Sequence, residues 1–196
     1  MARTKSFDES TVLESAMKLF WKNGYSATSI KDLEHAMGLS PTSIYNAFGS
    51  KRELFEKALE LYLNTKLSDF IQSLASATSI ENAIKDVLNG VIRLHFNKSH
   101  PGGCMVVLSL LENEQHDDST KEILNSALRL LRDTINKRLK QAKTEGEVSS
   151  SIDTKIFANH ITALIMGMIT MAKAGFSKKE LEVLINSTSH VLSQQF

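Results

Sequence analysis

The sequence predicts an all-α protein, and three observations support that prediction. The 196 residues include two prolines and nine glycines, which is too few for the turn-rich chain of an all-β fold. Apolar residues recur at the three- and four-residue spacing of amphipathic helices along almost the whole chain, and the strict alternation of a half-buried strand is never sustained. With 42% hydrophobic and 23% charged residues, the chain can bury the core of one or two compact domains.

The first two predicted helices lie close together. Helix one covers residues 8–23, and Gly24 follows it where a left-handed residue ends a helix. Its apolar stripe consists of Leu13, Ala16, Met17, Phe20 and Trp21. Helix two is shorter, begins at about residue 29 with Thr28 or Ser29 as its N-cap, and ends at Gly38.

A third helix opens directly after the second. Ser40 is a favourable N-cap and Pro41 a favourable first helical residue, and the helix is short because residues 49 and 50 end it. The fourth helix begins with Ser50 as its cap and Glu53 three residues later, which is the spacing of a capping box. It runs to about residue 74, so helix 51–74 connects an N-terminal domain, residues 1–50, to the rest of the chain.

The C-terminal domain is expected to cover residues 75–196, after a small and polar join at residues 75–79. Its predicted helices cover residues 80–97, 104–115, 119–144, 153–174 and 177–195, which gives about nine helices in the whole chain. The separators are HPGG at 100–103, HDD at 116–118, EGEVSSS at 145–151 and a turn at Gly175.

Helices two and three carry the motif that points to a function. Two short helices that are joined by a tight turn at Gly38 and packed on a longer helix have the layout of a helix-turn-helix. On helix three, Ile44 and Phe48 lie one turn apart and are expected to point inward. The side chains expected to face outward are Thr42, Ser43 and Asn46, with Tyr45 at the flank.

These outward side chains suit the edges of DNA bases. Hydroxyl groups can donate or accept a hydrogen bond, and Asn46 can make a paired bond to adenine. Tyr45 is placed for a phosphate oxygen, and Lys51 can add a charge-assisted bond to the same backbone. The alternative interpretation is a helical hairpin whose polar face is only solvated.

The motif resembles a known family. The stretch FWKNGYSATSIKDLEHAMGLSPTSIYNAFGSKRELFEKAL, residues 20–59, is similar without gaps to the DNA-binding domain of the TetR/AcrR repressors, and the family's characteristic run is present as LSPTSIYNAFGSKREL at residues 39–54. Pro41 and Ala47 depart from the residues that many members carry there. The resemblance implies an all-α homodimer with two heads on a palindromic operator, and a C-terminal domain whose small-molecule effector loosens the heads from DNA.

The resemblance also implies roles for single residues. Thr42 and Ser43 resemble base-contacting positions, Tyr45 and Lys51 resemble phosphate clamps, and Thr28 or Ser29 resembles a further phosphate contact. The full set of expected DNA-contacting residues is Thr28, Ser29, Ser40, Thr42, Ser43, Tyr45, Asn46 and Lys51.

Charge gives the DNA-binding prediction little support. The whole chain has a formal net charge of +1, and residues 1–66 hold nine Lys and Arg against eight Asp and Glu. We therefore expect a modest electrostatic attraction, with affinity that comes from dimerisation as well. The local basic residues are Arg3, Lys5, Lys22, Lys51 and Arg52.

The last two predicted helices favour a homodimer. Helix 153–174 carries two apolar stripes, of which one can face the core of its own chain while the other needs a partner. Together with helix 177–195 it can meet its symmetry mate as a four-helix bundle. The expected interface residues are Ile161, Ile165, Met168, Leu184, Thr188 and Leu192. The alternative is a monomer in which helix 153–174 is fully buried.

An effector pocket is expected between the C-terminal helices. The candidate lining residues, each of which also suits the core, are Phe70, Phe96, Cys104, Met105, Phe157, His160 and Met166. Cys104 lies near a helix N-terminus, where exposed amides favour a reactive thiolate that could sense oxidants or electrophiles, although a free cysteine is more often a small buried apolar residue. The spacing of Cys104 from His95, His100 and His116 matches no metal-binding pattern, so we expect neither a metal nor a cofactor.

The remaining features concern the cellular compartment and the class of protein. The start of the chain lacks the apolar segment of a secretory signal, the apolar run 161–172 is shorter than the roughly 20 residues that span a bilayer, and one cysteine fits a reducing compartment. We therefore expect a cytoplasmic protein that does not enter a membrane. An enzyme and an architectural DNA-binding protein are the rival classes, but no catalytic glycine loop, metal motif or nucleophile elbow occurs. The sequence predicts a transcriptional repressor that a small molecule, electrophile or oxidant releases from DNA.

Overall fold

Helices account for most of the residues that the computed structural model describes, which are residues 8–193, with side chains up to residue 188. Within that range there is no strand, and the all-α prediction is confirmed. The α-helices are α1 (Glu9–Asn23), α2 (Ile30–Met37), α3 (Pro41–Phe48), α4 (Lys51–Tyr62), α5 (Ser68–Ser76), α6 (Ile80–Phe96), α7 (Met105–Leu110), α8 (Asp118–Thr144), α9 (Thr154–Lys173) and α10 (Lys178–Ser193).

Polar caps set where the short N-terminal helices begin. Ser29 caps α2, and Asp32 returns the bond by accepting from the Ser29 N–H at 2.9 Å, so a capping box forms here that the sequence prediction did not name. The predicted capping box of Ser50 and Glu53 at the start of α4 is confirmed. These bonds satisfy backbone N–H groups that the first turn of a helix leaves without partners.

The predicted fourth helix is a continuous helical run with one irregular turn. A π-helical turn, Leu63–Leu67, joins α4 to α5. Before this turn, Leu59 and Tyr62 lie in the core of the N-terminal helices, whereas Leu74 beyond it lies in the core of the C-terminal helices. The run therefore contributes to both cores.

The helix predicted over residues 104–115 is wrong in extent, because α7 ends at Leu110 and a 3-10 turn, Asn113–Gln115, follows. Two side chains account for the break. His116 turns inward and its Nε2 lies 3.1 Å from the Ser109 carbonyl oxygen, and the Glu112 carboxylate accepts a hydrogen bond from the Tyr25 backbone N–H. If α7 continued as one helix to residue 115, the side chains of Glu112 and His116 would not reach these partners.

Two apolar clusters fill the interior. One contains side chains of α1 to α4 together with Met105 and Val106 of α7 and Leu124 and Ala127 of α8. The other is built by α6, α8, α9 and α10. The core of the N-terminal helices is therefore completed by residues from the C-terminal half, and α7 and α8 hold the two halves together.

Burial corrects three of the expected dimer-interface residues. Ile161, Ile165 and Met168 are 3%, 2% and 0% exposed, and all three belong to the core of their own chain. A second copy cannot reach them. Members of both predicted stripes are buried: Ile161, Ile165 and Met168 of one, and Ala158, Thr162 and Ile169 of the other. The expectation that one stripe faces the core while the other needs a partner is therefore wrong.

The outward side of α9 and α10 carries other apolar residues. Ile156 is 55% exposed and Val183 is 59% exposed, and Gly167 is also exposed. Of the remaining interface predictions, Leu184 and Thr188 are half-buried, and Leu192 lies outside the described side chains.

The helix α9 is longer than the apolar run noted in the sequence. It has 20 residues and is, within the described part of the chain, the one helix long and apolar enough to cross a membrane. The prediction that this segment is too short to span a bilayer is therefore wrong on length. Eight of its residues are buried inside the protein, which is the pattern of a core helix.

Candidate nucleic-acid interface

The helix α3 presents one polar face and buries the other. Ile44 and Phe48 are 0% and 1% exposed in the N-terminal core, as their spacing predicts. Thr42, Tyr45 and Asn46 are exposed, and Tyr45 shows 47% of its surface. The exposed side chains lie within two turns of one another, so α3 offers a contiguous set of hydroxyl and amide groups.

The two serines at the start of α3 are bonded to each other. Ser40 Oγ accepts from the Ser43 backbone N–H at 3.2 Å, and the two hydroxyl oxygens lie 3.0 Å apart. Ser40 is exposed and Ser43 is half-buried. Each hydroxyl retains capacity for one more hydrogen bond.

Thr28 does not lie at the surface. Its side chain is fully buried, and its hydroxyl donates to the Gly24 carbonyl oxygen at 2.6 Å. The sequence offered Thr28 or Ser29 as a phosphate contact, and burial excludes the Thr28 side chain. Ser29 is exposed at the N-terminus of α2, where backbone N–H groups favour an anion.

Lys51 lies over an aromatic ring at the start of α4. Its ammonium nitrogen is 4.5 Å from the centre of the Tyr25 ring. Burial lowers the pKa of Lys51, and the Glu112 carboxylate opposes that change. The cation is thus held beside the loop between α1 and α2.

The local positive charge is smaller than the sequence prediction assumed. Arg52 forms an ion pair with Asp117, and the pKa of Asp117 is lowered to about 2 by the Thr120 backbone N–H and by this arginine. Lys22 is exposed. Arg3 and Lys5 lie outside the described residues.

Side chains to which the sequence prediction gave no such role connect these helices to the C-terminal half. Tyr25 packs against Phe55 and His116 with ring centres 5.0 and 5.3 Å apart, and His116 stacks on Phe55 at 5.3 Å. The Tyr25 backbone N–H donates to Glu112 at 2.8 Å. Gly24 leaves space for this carboxylate, since a Cβ on Gly24 would lie 2.7 Å from a Glu112 oxygen.

A second connection involves the only tryptophan in the chain. Trp21 Nε1 donates to the Gly103 carbonyl oxygen at 3.0 Å, and its ring stacks on His100 at 5.5 Å. Trp21 itself is 2% exposed. The loop between α6 and α7 is therefore bonded directly to α1, which packs beside the helix-turn-helix.

Only two of the expected effector-contacting residues share a cavity. Phe70 and Cys104 line an apolar cavity of about 60 Å³ between α4, α6, α7, α8 and α9. Five others lie elsewhere: Met105 is buried in the N-terminal core, Phe157 and Met166 pack at the edge of the second core, and Phe96 and His160 are exposed. The helical periodicity of the sequence identified apolar residues in these helices, but it did not show where a cavity lies between them.

Cys104 is half-buried and directly precedes α7. The expected long helix beyond it is absent, since α7 has six residues. Its neighbour is the Tyr62 hydroxyl, and burial raises the pKa of Tyr62 with a further contribution from this thiol. Among the described residues no group of His, Cys, Asp and Glu is arranged to hold a metal ion.

A capped helical hairpin with an exposed polar face, followed by a lysine at the next helix start, defines the class of helix-turn-helix DNA-binding proteins. The family model "Bacterial regulatory proteins, tetR family" matches residues 12–58. The model "Tetracyclin repressor-like, C-terminal domain" matches residues 81–188, which is more than half of the chain. The chain therefore belongs to the tetR family of transcriptional regulators, as the motif predicts, and it is not an enzyme.

Similarity to known regulators extends over nearly the whole chain. It is 28% identical over 187 residues to the HTH-type transcriptional repressor ComR of Escherichia coli strain K12, covering 95% of this chain and 89% of ComR. It is 26% identical over 193 residues to the uncharacterized HTH-type transcriptional regulator YezE of Bacillus subtilis strain 168, covering 98% and 100%. A solved structure of the TetR family transcriptional regulator CifR, a cysteine mutant complexed with 26-bp double-strand operator DNA, has a TM-score of 0.88 at 26% identity, covering 97% of this chain and 100% of that chain. The protein is a DNA-binding transcriptional regulator.

Replacing His116 with glutamine should make the stability of the fold less sensitive to acid. Burial lowers the pKa of His116 below 6.5, although Ser109, Glu112 and Asp117 oppose that change and Lys121 adds to it. The unfolded chain then takes up the proton first, so stabilisation by neutral His116 is complete above about pH 6.5 and is lost as the pH falls below it. Urea unfolding at about pH 7.5 and about pH 5.5 measures the loss, which should be smaller in His116→Gln than in the parent.

The matched control is His35→Gln, because His35 is exposed on α2. This variant should lose as much stability on acidification as the parent does. Equal losses in all three proteins would show that burial of His116 does not determine the acid response.

Proposed function

We propose that this regulator is a cytoplasmic repressor that binds a palindromic operator as a homodimer and leaves it when an effector, electrophile or oxidant acts on the C-terminal helices. The observation that carries the proposal is the exposed polar face of α3, whose opposite face is held in the core by Ile44 and Phe48. The relative ComR is described as a repressor, and CifR is described in complex with operator DNA, which supports the same role here. An architectural protein without an effector would not need the apolar cavity that Tyr62 of α4 and Cys104 line.

In this proposal the polar face of α3 enters the major groove. Thr42, Ser43 and Asn46 contact base edges, where the amide of Asn46 suits adenine. Tyr45, Ser29 and Lys51 contact phosphates on either side, and Ser40 adds a hydroxyl at the start of α3. Because Arg52 is paired with Asp117, the sequence-independent attraction between the protein and the DNA backbone is weak. Contacts with the bases then contribute a larger share of the binding free energy.

Replacing Asn46 with alanine should weaken operator binding by about 1–3 kcal/mol and relax the base preference at one position in each half-site. Replacing Lys51 with glutamine should weaken binding to all DNA sequences. It should also reduce the slope of the logarithm of the binding constant against the logarithm of the salt concentration by about the amount that one phosphate contact contributes. Fluorescence anisotropy with the chain's own upstream region and with scrambled DNA, at several salt concentrations, separates the two effects.

The matched control for Asn46→Ala is Asn125→Ala, since Asn125 is exposed on α8 far along the chain from the helix-turn-helix. It should bind as the parent does. If Asn46→Ala also binds like the parent, α3 does not contact bases in the proposed way.

The outward face of α9 and α10 is the proposed dimer interface. The exposed apolar residues Ile156, Phe176 and Val183 lie there, and Leu184 and Thr188 are half-buried beside them. Two-fold pairing of this surface would make a four-helix bundle from α9 and α10 of two copies. It would also cover Ile156, Ala163 and Gly167, which the core leaves exposed on α9.

Replacing Gly167 with arginine should turn the dimer into a folded monomer. A Cβ on Gly167 meets nothing within 4 Å in the single chain, so the variant should fold, but a charged side chain in a close helix-helix contact is strongly unfavourable. Sedimentation measures the mass, and circular dichroism checks the helix content. Asn125→Arg is the control and should remain a dimer, whereas a dimeric Gly167→Arg would place the interface elsewhere.

The proposed effector site lies close to helices of the N-terminal half. Cys104 lines the apolar cavity, and the adjacent Gly103 carbonyl accepts the hydrogen bond from Trp21 of α1. The Cys104 thiol also lies beside Tyr62 in the core of the N-terminal helices. Occupation of the cavity or modification of the thiol would therefore displace groups that touch α1 and α4.

Modification of Cys104 should release the protein from its operator. An added group on this half-buried thiol would not fit in about 60 Å³ of free space, so Tyr62 and the loop before α7 would have to move. Gel shift before and after treatment with N-ethylmaleimide measures the release, and Cys104→Ser should be insensitive. Equal release of the parent and of Cys104→Ser would remove the sensor role from this cysteine.

A further inference from the structure

A charged cleft adjoins the apolar cavity. The cleft has a volume of about 250 Å³ and lies between α5, α6 and the loop that follows α6. Its charged and titratable lining residues are Lys66, Asp69, Arg93 and His100. It shares Lys66, Phe70 and Leu94 with the apolar cavity, so the two spaces are separated only by these side chains.

The two cations of the cleft have no ion-pair partner among the described residues. Lys66 forms no salt bridge there, and Arg93 donates only to the Asp86 carbonyl oxygen, at 3.3 Å. One acidic side chain, Asp69, lines the same cleft. Glu14 on α1 also feels the charge of Lys66, but its carboxylate is paired with Lys18 at 2.7 Å. Among the described residues, the lining of the cleft therefore carries two positive charges, on Lys66 and Arg93, against the one negative charge of Asp69.

The lowered pKa of His100 agrees with the positive charge of the cleft. Its pKa is lowered by burial and then by the charges of Lys66 and Lys18. An anion placed in the cleft would be attracted by the groups that now repel a proton from this ring. The imidazole itself could donate a hydrogen bond to such an anion.

Phe70 separates the charged cleft from the apolar cavity. Its ring approaches the backbone of α6 closely because residue 90 is glycine, where a Cβ would stand 3.1 Å from a ring carbon and 3.7 Å from the Arg93 guanidinium. The two spaces together hold about 300 Å³, which is the lower end of the range for small-molecule sites.

We propose that the effector is a small organic anion with one apolar end, whose carboxylate is bound by Lys66 and Arg93 while its apolar end passes Phe70 into the cavity beside Cys104. This inference deepens the proposed function and rests on it for the effect on DNA. Binding of the anion itself depends only on the cleft. A neutral molecule of the same shape leaves both cations unpaired and binds more weakly.

The ring of Trp21 offers a direct measurement of occupancy, because it is the only tryptophan and it stacks on His100 at the edge of the cleft. The probes are sodium hexanoate and hexanamide, which have the same chain and differ in charge. Each is titrated into the full-length protein without DNA at constant ionic strength, and Trp21 fluorescence is recorded. Hexanoate should bind at least about ten-fold more tightly than hexanamide, as expected for a charge-assisted contact.

The double variant Lys66→Gln with Arg93→Gln should lose the preference for hexanoate while its affinity for hexanamide stays the same. The charge-matched control is the double variant Lys140→Gln with Lys155→Gln, because both of these lysines are exposed far from the cleft. It should keep the parent's preference. Circular dichroism of each variant confirms that the helices are intact.

Three results would overturn the inference: equal affinity for the two probes, no response to hexanoate, or an unchanged preference in the double variant. Operator binding is measured in a separate experiment, so its result does not depend on the result of the hexanoate titration. Hexanoate binding by a protein that fails to bind operator would refute the proposed function and leave the anion site standing. Operator binding by a protein that ignores hexanoate would refute the anion site alone.

Discussion

The recognition helix is too short to exist by itself, and this constraint shapes the whole N-terminal half. Helices α2 and α3 have eight residues each, whereas isolated helices below about 12–15 residues are marginal in water. They persist because Ser29 and Ser40 cap their first turns and because Leu33, Ile44 and Phe48 are fully buried against α1 and α4. The polar face of α3 is thus positioned by its apolar face, and every contact that supports the core also holds that polar face in place.

The core that holds α3 is shared with the segment that would respond to an effector in the proposed function. Residues 100–120 supply the Gly103 carbonyl to Trp21, the Glu112 carboxylate to the Tyr25 backbone and the Asp117 carboxylate to Arg52. The same segment contains Cys104 in the wall of the apolar cavity. A change in the cavity and a change in the position of the helix-turn-helix therefore involve the same short stretch of chain, and close packing leaves such a stretch few intermediate arrangements.

Local rules predicted the parts of the structure that local physics determines. The caps at Ser40 and Ser50, and the inward direction of Ile44 and Phe48, follow from spacing alone and are confirmed. Features that depend on distant residues were missed. The end of α7 depends on a bond between Glu112 and Tyr25, which are 87 residues apart. Likewise, periodicity divided the apolar residues of α9 into two stripes, whereas packing against the other helices buries members of both, Ile161 and Ile165 of one and Ala158 of the other among them.

The π-helical turn at Leu63–Leu67 has a consequence for the spacing of operator half-sites. A helix turns its side chains by about 100° per residue, so an extra residue in one turn rotates everything beyond it relative to an uninterrupted α-helix. In the proposed dimer, the run from α4 to α5 leads from the helix-turn-helix to α6 and α8, and these helices pack on α9 and α10, which would form the two-fold contact. Its length and rotational phase then decide whether the two α3 helices meet major grooves about 34 Å apart on one side of the DNA. The length of DNA between the half-sites is thereby encoded in a turn that lies well outside the helix-turn-helix.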